Sequence, residues 1–156
     1  MQIKFVQDED FTNYKKCAMF IGLPYCTFKC EKDCGIKCCQ NSPLALAPTV
    51  EISIDSLIQQ YEKNPFSSAV VFGGLEPLDS WEDLLDFITK FRAKFDDDIV
   101  IYTGYKEEEV IDKTNTLSSF KNIIVKYGRF IPNQPSRFDE VLGVVLASPN
   151  QYAVKL

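Results

Sequence analysis

The chain reads as one α/β domain on a mostly parallel, open sheet, a partial (βα) barrel with a cysteine loop after the first core strand. Short apolar runs alternate with helical stripes, and several of those runs stop at glycine. The resulting βα units are too few to close an eight-stranded barrel. No repeat, low-complexity tract or composition break interrupts the sequence. Residues 1–156 are therefore a single domain, with the cysteine loop over 23–49.

The first core strand is the run Cys17-Ala-Met-Phe-Ile-Gly22, which leads into the cysteine loop, and Cys17 is a core residue of it. Residues 41–49 are rich in Pro and Ala and read as irregular. Ile54, Leu57, Ile58 and Tyr61 then recur at helical spacing, with Ser53 to cap the helix and Asn64-Pro65 to end it. Ala69-Val-Val-Phe72 is a buried parallel strand closed by Gly73-Gly74. The next helix carries Trp81, Leu84, Leu85, Ile88, Phe91 and Phe95 on one face, with Trp81 in the core. Ser80 and Asp83 form a capping-box pattern at its start. Ile99-Val-Ile-Tyr102 is a strand stopped by Thr103-Gly104-Tyr105. Residues 106–113 read as a short helix with glutamates where its dipole favours them. Asn122-Ile-Ile-Val125 and residues 140–147 supply the last two strands. In open parallel sheets ligands sit beyond the carboxyl ends of the strands. The cysteine loop, Gly73-Gly74 and Thr103-Gly104-Tyr105 all follow strand ends, so they should share one rim.

Hydrophobic residues make up 46 % of the chain and twelve are Phe, enough for a real core. No apolar run reaches the roughly 18–20 residues of a membrane helix, and the N-terminus lacks a signal-peptide core. The expectation is a cytoplasmic protein with reduced thiols. A net charge of −5 argues against nonspecific nucleic-acid binding. The absence of histidine excludes Ser-His-Asp and Cys-His catalysis and zinc sites of Cys/His type.

Cys26, Cys30, Cys34, Cys38 and Cys39 crowd into one loop. Structural zinc commonly uses CxxC knuckles, and none occurs here. A disulfide framework conflicts with a reducing compartment, and plain core thiols would be scattered. The run points to an iron–sulfur cluster, whose usual ligands are thiolates. A zinc-stapled, non-enzymatic interaction domain stays as the alternative from another class. A ferredoxin-like electron-transfer module would need a fourth thiolate.

The spacing Cys26-x3-Cys30 with a further Cys, the loop Phe72-Gly73-Gly74-Leu75-Glu76-Pro77 and the strand order together resemble the radical S-adenosylmethionine (SAM) superfamily. Within it, the chain is most similar to activating enzymes of anaerobic (class III) ribonucleotide reductases. Cys39-Gln40-Asn41, Gly73-Gly74-Leu75-Glu76-Pro77-Leu78, Tyr102-Thr103-Gly104-Tyr105 and Ser148-Pro149-Asn150-Gln151 correspond, in order, to that family's motifs. Two departures stand out. Eight residues separate Cys30 from Cys39 where the usual pattern has two, and Leu75 is inserted before the acid.

The resemblance implies a 4Fe–4S cluster held by Cys26, Cys30 and Cys39, with Cys34 as the alternative third ligand. Cys39 is favoured because Gln40-Asn41 keeps the family's neighbours. Cys34 and Cys38 are then loop residues or extra thiols. Three ligands leave one iron open, which by resemblance chelates SAM and cleaves it reductively to a 5′-deoxyadenosyl radical. Gly73 and Gly74 would approach the SAM amino group, Thr103 and Gly104 the adenosyl portion. Glu76, Asn41 and Asn150 complete the cofactor-binding set, with Gln151 as a further polar contact at the rim. Ordinary βα turns, helix capping and a C-terminal tail are the bland counterparts of these roles. Tyr25 and Phe28 flank the ligands and would pack there or exclude water. The implied partners are the large glycyl-radical reductase subunit and a reduced flavodoxin or ferredoxin-type electron donor, with no nucleic acid and no membrane. A small radical SAM enzyme acting on a metabolite such as a deazapurine precursor is the alternative of the same chemistry.

Overall fold

A computed structural model describes all of residues 1–156. The strands are β1 (Gln2–Ile3), β2 (Phe5–Asp10), β3 (Ala18–Leu23), β4 (Val50–Glu51), β5 (Ala69–Gly74), β6 (Asp98–Tyr102), β7 (Ile123–Tyr127), β8 (Arg137–Asp139), β9 (Val144–Leu146) and β10 (Tyr152–Lys155). The helices are α1 (Lys29–Cys34), α2 (Ser42–Leu46), α3 (Ile54–Lys63), α4 (Trp81–Arg92) and α5 (Ile111–Leu117). Six strands form the central sheet in the order β10-β7-β6-β5-β3-β2. The four in the middle are parallel, and both edge strands run antiparallel.

Period-two alternation along these strands sorts side chains between two faces. Val70 and Phe72 of β5, Ile99 and Ile101 of β6, and Ile123, Val125 and Tyr127 of β7 enter one large core. Helices α3, α4 and α5 pack on that face through Ile54, Leu57, Ile58, Tyr61, Leu84, Phe87, Ile88, Phe91 and Leu117. Phe87 stacks on Phe91 and meets Phe72 edge-on, which locks α4 to β5. The opposite face carries smaller residues, among them Ala18, Ala69, Val71, Val100 and Ile124, covered by Tyr14, Leu142 and Leu146. All three sheet-covering helices therefore lie on one side, and the other side is free to line a cavity.

Helix α3 starts and stops as expected. The Ser53 hydroxyl accepts from the Ser56 amide, and Asn64 follows the last turn. Several elements differ from the sequence expectation. The N-terminal edge strand β2 lacked a legible pattern because three of its six residues are exposed. The segment expected as irregular contains α2, and the cysteine loop contains α1. The helix expected over 106–113 is a 3₁₀ turn, Glu107–Glu109, followed by α5. Residues 140–147 do not join the main sheet: β9 pairs only with β8, and β10 takes the edge beside β7. Asp139 drives this arrangement. Its carboxylate accepts from the amides of Val141, Leu142 and Ala153, which turns the chain early and pins β10. Ser80 gives α4 no side-chain cap, and its hydroxyl is buried without a partner. Phe87, outside the expected stripe, is fully buried, whereas Trp81 is only partly buried against the core. Cys17 sits just before β3, half-buried beside Ser67, at the strand end away from the cysteine loop.

Candidate cluster and cofactor site

The carboxyl ends of β3, β5, β6 and β7 open into one cavity of about 340 Å³ on the helix-free side. Cys26, Cys30 and Cys39 line it, while Cys34 and Cys38 do not. The local fold explains how the long gap between Cys30 and Cys39 closes. Helix α1 carries the chain away from Cys30, and Gly35 ends it in the left-handed region at φ 70°, donating to Glu31 O. A Cβ there would meet nothing within 4 Å, so the glycine serves backbone conformation and not a close approach. The Glu31 carboxylate then receives the Cys39 amide at 3.3 Å, which returns Cys39 to the side of Cys30. At the start of the loop, Phe28 takes φ 51°, unusual for an aromatic residue, and its amide donates to Cys26 Sγ at 3.2 Å. Tyr25 is 50 % exposed and hydrogen-bonds Gln2, so it packs at the surface and not over the thiols.

Burial pushes the Cys26 thiol up to about 12, against the Phe28 amide; nearby Glu76, Asp79 and Cys39 raise it further. Burial also raises Cys39, which feels Cys30 and Glu31. Cys39 is thus near enough to be felt at Cys26, and Cys30 near enough to be felt at Cys39. No three Cys, Asp or Glu side chains gather around one point as a single metal ion requires. A cluster asks for something different, because each thiolate binds its own iron and the sulfurs stay apart. Three thiols lining one cavity fit that requirement.

Two glycine turns also line the cavity. Gly73 and Gly74 end β5, and Gly74 adopts φ 82° with a would-be Cβ only 2.9 Å from Gly22 Cα. No side chain fits between these two strand ends. Asn41, directly after the cysteines, donates its amide to Gly74 O at 2.7 Å and ties the two loops together. Glu76 is 5 % exposed. Its carboxylate caps the 3₁₀ turn Pro77–Ser80 through the Leu78 amide and also accepts from Gly104 N at 2.8 Å. Burial raises Glu76 to about 7, against hydrogen bonds from Gly104, Thr103 and Leu78. Thr103 is buried, its hydroxyl accepts from the Tyr105 amide, and its own amide donates to Lys126 O. Gly104 lies against Cys30: a Cβ there would stand 3.4 Å from Cys30 Sγ. Asn41, Gly73, Gly74, Glu76, Thr103 and Gly104 all line the cavity, and Asn150 does not. Asn150 is exposed and donates to Arg129 O, and its neighbour Gln151 lines the cavity instead.

Two features escaped the sequence reading. Lys126 is 6 % exposed and lines the cavity, its ammonium donating to Gly128 O at 2.9 Å. Burial lowers it to about 8, while Glu76 and Cys30 pull it back up. The only signal was register: Lys126 follows Ile124 on the face opposite Ile123 and Val125. The second is an ion cluster that holds α1 down. Arg129 makes bidentate bonds of 2.6 and 2.7 Å to Glu109, and its Nε lies 2.6 Å from Asp33 of α1. Lys29, also on α1, reaches Glu109 at 3.4 Å and stacks over Tyr105.

Residues 15–145 match the family described as 4Fe-4S single cluster domain. The match covers most of the chain, and the protein belongs to that family. No curated protein and no solved structure matches it. No helix is long and apolar enough to cross a membrane.

Proposed function

We propose that this chain, a 4Fe-4S single cluster protein, is a radical SAM activase that generates a glycyl radical on an anaerobic ribonucleotide reductase. The observation that carries the reading is one cavity lined together by Cys26, Cys30 and Cys39 and by the glycine turns at Gly73-Gly74 and Gly104. When bound, a site-differentiated 4Fe–4S cluster supplies one electron for homolysis of the SAM sulfonium bond. The chain's own residues bind and orient. Cys26, Cys30 and Cys39 hold the cluster and leave one iron without a protein ligand. Gly73 and Gly74 present bare backbone to the SAM amino group, and Asn41 keeps that backbone against the cluster loop. Thr103 and Gly104 form the adenosyl side, with Glu76 fixing the Gly104 turn from below. Lys126 offers a buried cation to a carboxylate, an interaction strengthened by the absence of competing water. Phe20 and Tyr102 supply apolar wall. A cavity of about 340 Å³ is at the lower end of the ~300–1,000 Å³ range for ligand sites.

Anaerobic reconstitution with iron and sulfide, followed by dithionite and SAM, tests the reading. A brown protein that releases 5′-deoxyadenosine only when reduced is expected. A colourless protein holding one zinc and inert to SAM would overturn it.

A further inference from the structure

The loop between Cys30 and Cys39 contains a second sulfur feature that three-ligand chemistry does not use. Cys34 Sγ and Cys38 Sγ lie 2.9 Å apart. A disulfide bond is ~2.05 Å long, so the two sulfurs must close by less than about 1 Å. The backbone brings this about. Cys34 ends α1, Gly35 reverses the chain at φ 70°, and Cys38 returns over the helix end. The Cys34 thiol is further oriented by Glu31 O and Ile36 O. Both residues are half-buried, so a small reagent can reach them. Neither lines the cavity, and Cys17 is at the far end of β3.

We infer that Cys34 and Cys38 are a reversible thiol–disulfide couple, a redox modification site beside the cluster loop and separate from its ligands. The co-reactant is a disulfide of low molecular weight or of a protein. One cysteine thiolate attacks a sulfur of that disulfide, forming a mixed disulfide and releasing one thiolate. The second cysteine thiolate displaces the other, closing the Cys34–Cys38 bond. The two cysteines lose two electrons and two protons, and the incoming disulfide becomes two thiols. Half-exposed disulfides that close short loops belong to the easily reduced, regulatory class rather than the structural one. Oxidation takes two of the five loop thiols out of competition for iron. It leaves Cys26, Cys30 and Cys39 as the thiols that face the cavity. The inference does not require SAM chemistry and stands if that reading fails.

The test uses the cluster-loaded protein, kept anaerobic in glutathione/glutathione-disulfide buffers from reducing to oxidising, then acid-quenched and treated with N-ethylmaleimide. Trypsin cuts after Lys32 and Lys37, so a Cys34–Cys38 bond joins peptide 33–37 to peptide 38–63. The expected result is that joined pair at the oxidising end, two fewer maleimide adducts, and full reversal with excess glutathione. Cys34→Ser and Cys38→Ser should each reduce the joined pair at least ~10-fold. Maleimide on both residues in the most oxidising buffer would overturn the inference. So would stable glutathione adducts in place of the bond, or a joined pair that survives in Cys38→Ser through Cys39.

Discussion

Cys39 and Cys34 carry the same side chain and sit on one loop, yet only Cys39 lines the cavity. The difference arises from Glu31, which draws the Cys39 amide back, and from Gly35, which lets α1 end where it does. In the sequence Cys39 was favoured through its neighbours Gln40 and Asn41, and Asn41 proves to be the residue that bridges to Gly74. Lys126 was less legible, because a lysine in an apolar strand looks like a surface residue until its register is known. Gln151 entered only through the resemblance of the Ser148-Pro149-Asn150-Gln151 run, and its side chain is held by the Ala147 and Ser148 amides. The cavity assignment gives a direct expectation. Cys26→Ala, Cys30→Ala and Cys39→Ala should each lose the cluster's visible absorption and most bound iron after reconstitution. Cys34→Ala and Cys38→Ala should keep most of both. Iron retained by Cys39→Ala and lost by Cys34→Ala would move the third ligand to Cys34.

Helix α1 has only six residues and no buried side chain, too little to hold its own place. The ion cluster around Arg129 supplies the missing attachment. The Arg129 side chain is 7 % exposed and joins Glu109, beside the β6 turn, to Asp33 on α1. The Arg129 hydrogen bonds hold Glu109 down at about 2, against burial, which raises it. A carboxylate held below its ordinary value of 4.5 contributes stability that is present above that value and is lost as pH falls towards 2. Arg129→Ala should cost about 2 kcal/mol near neutral pH, as charged hydrogen bonds do. The difference from wild type in urea unfolding should shrink as pH is lowered from 5 to 3. Trypsin should also cleave after Lys32 and Lys37 several-fold faster in the variant at neutral pH. A pH-independent difference, or unchanged cleavage, would remove the clamp from this account. None of this was visible in the sequence, because Asp33, Glu109 and Arg129 are brought together from three distant segments. Helices α3 and α4 and strands β5, β6 and β7 were legible, because their burial follows short-range periodicity. By contrast β10 and the β8–β9 pair depend on where the Asp139 carboxylate binds, a long-range matter.

All three sheet-covering helices pack on one face, so the opposite face and the strand ends are left to the cavity and the cysteine loop. The rim shared by the cysteine loop, Gly73-Gly74 and Thr103-Gly104 was expected from strand order alone, since parallel strands place their carboxyl ends together. Outside the sheet, the helices and the cysteine loop, Phe130 and the β8–β9 hairpin with Ala147 after it reach the cavity. Phe138 and Val145 of that hairpin are 52 % and 63 % exposed. The proposed activase receives the reacting hydrogen from a protein segment docked at the cavity mouth. On the activase reading that hydrogen belongs to a glycine Cα of the large reductase subunit. A reductase subunit carrying Cα-deuterated glycine should then transfer deuterium into 5′-deoxyadenosine when mixed with the reduced, SAM-loaded chain. The transfer should depend on the subunit, and a deazapurine precursor should neither bind the isolated chain nor compete. Deuterium-free 5′-deoxyadenosine together with turnover of the small precursor would assign the mouth to a metabolite and return the fold to the other branch of the same chemistry.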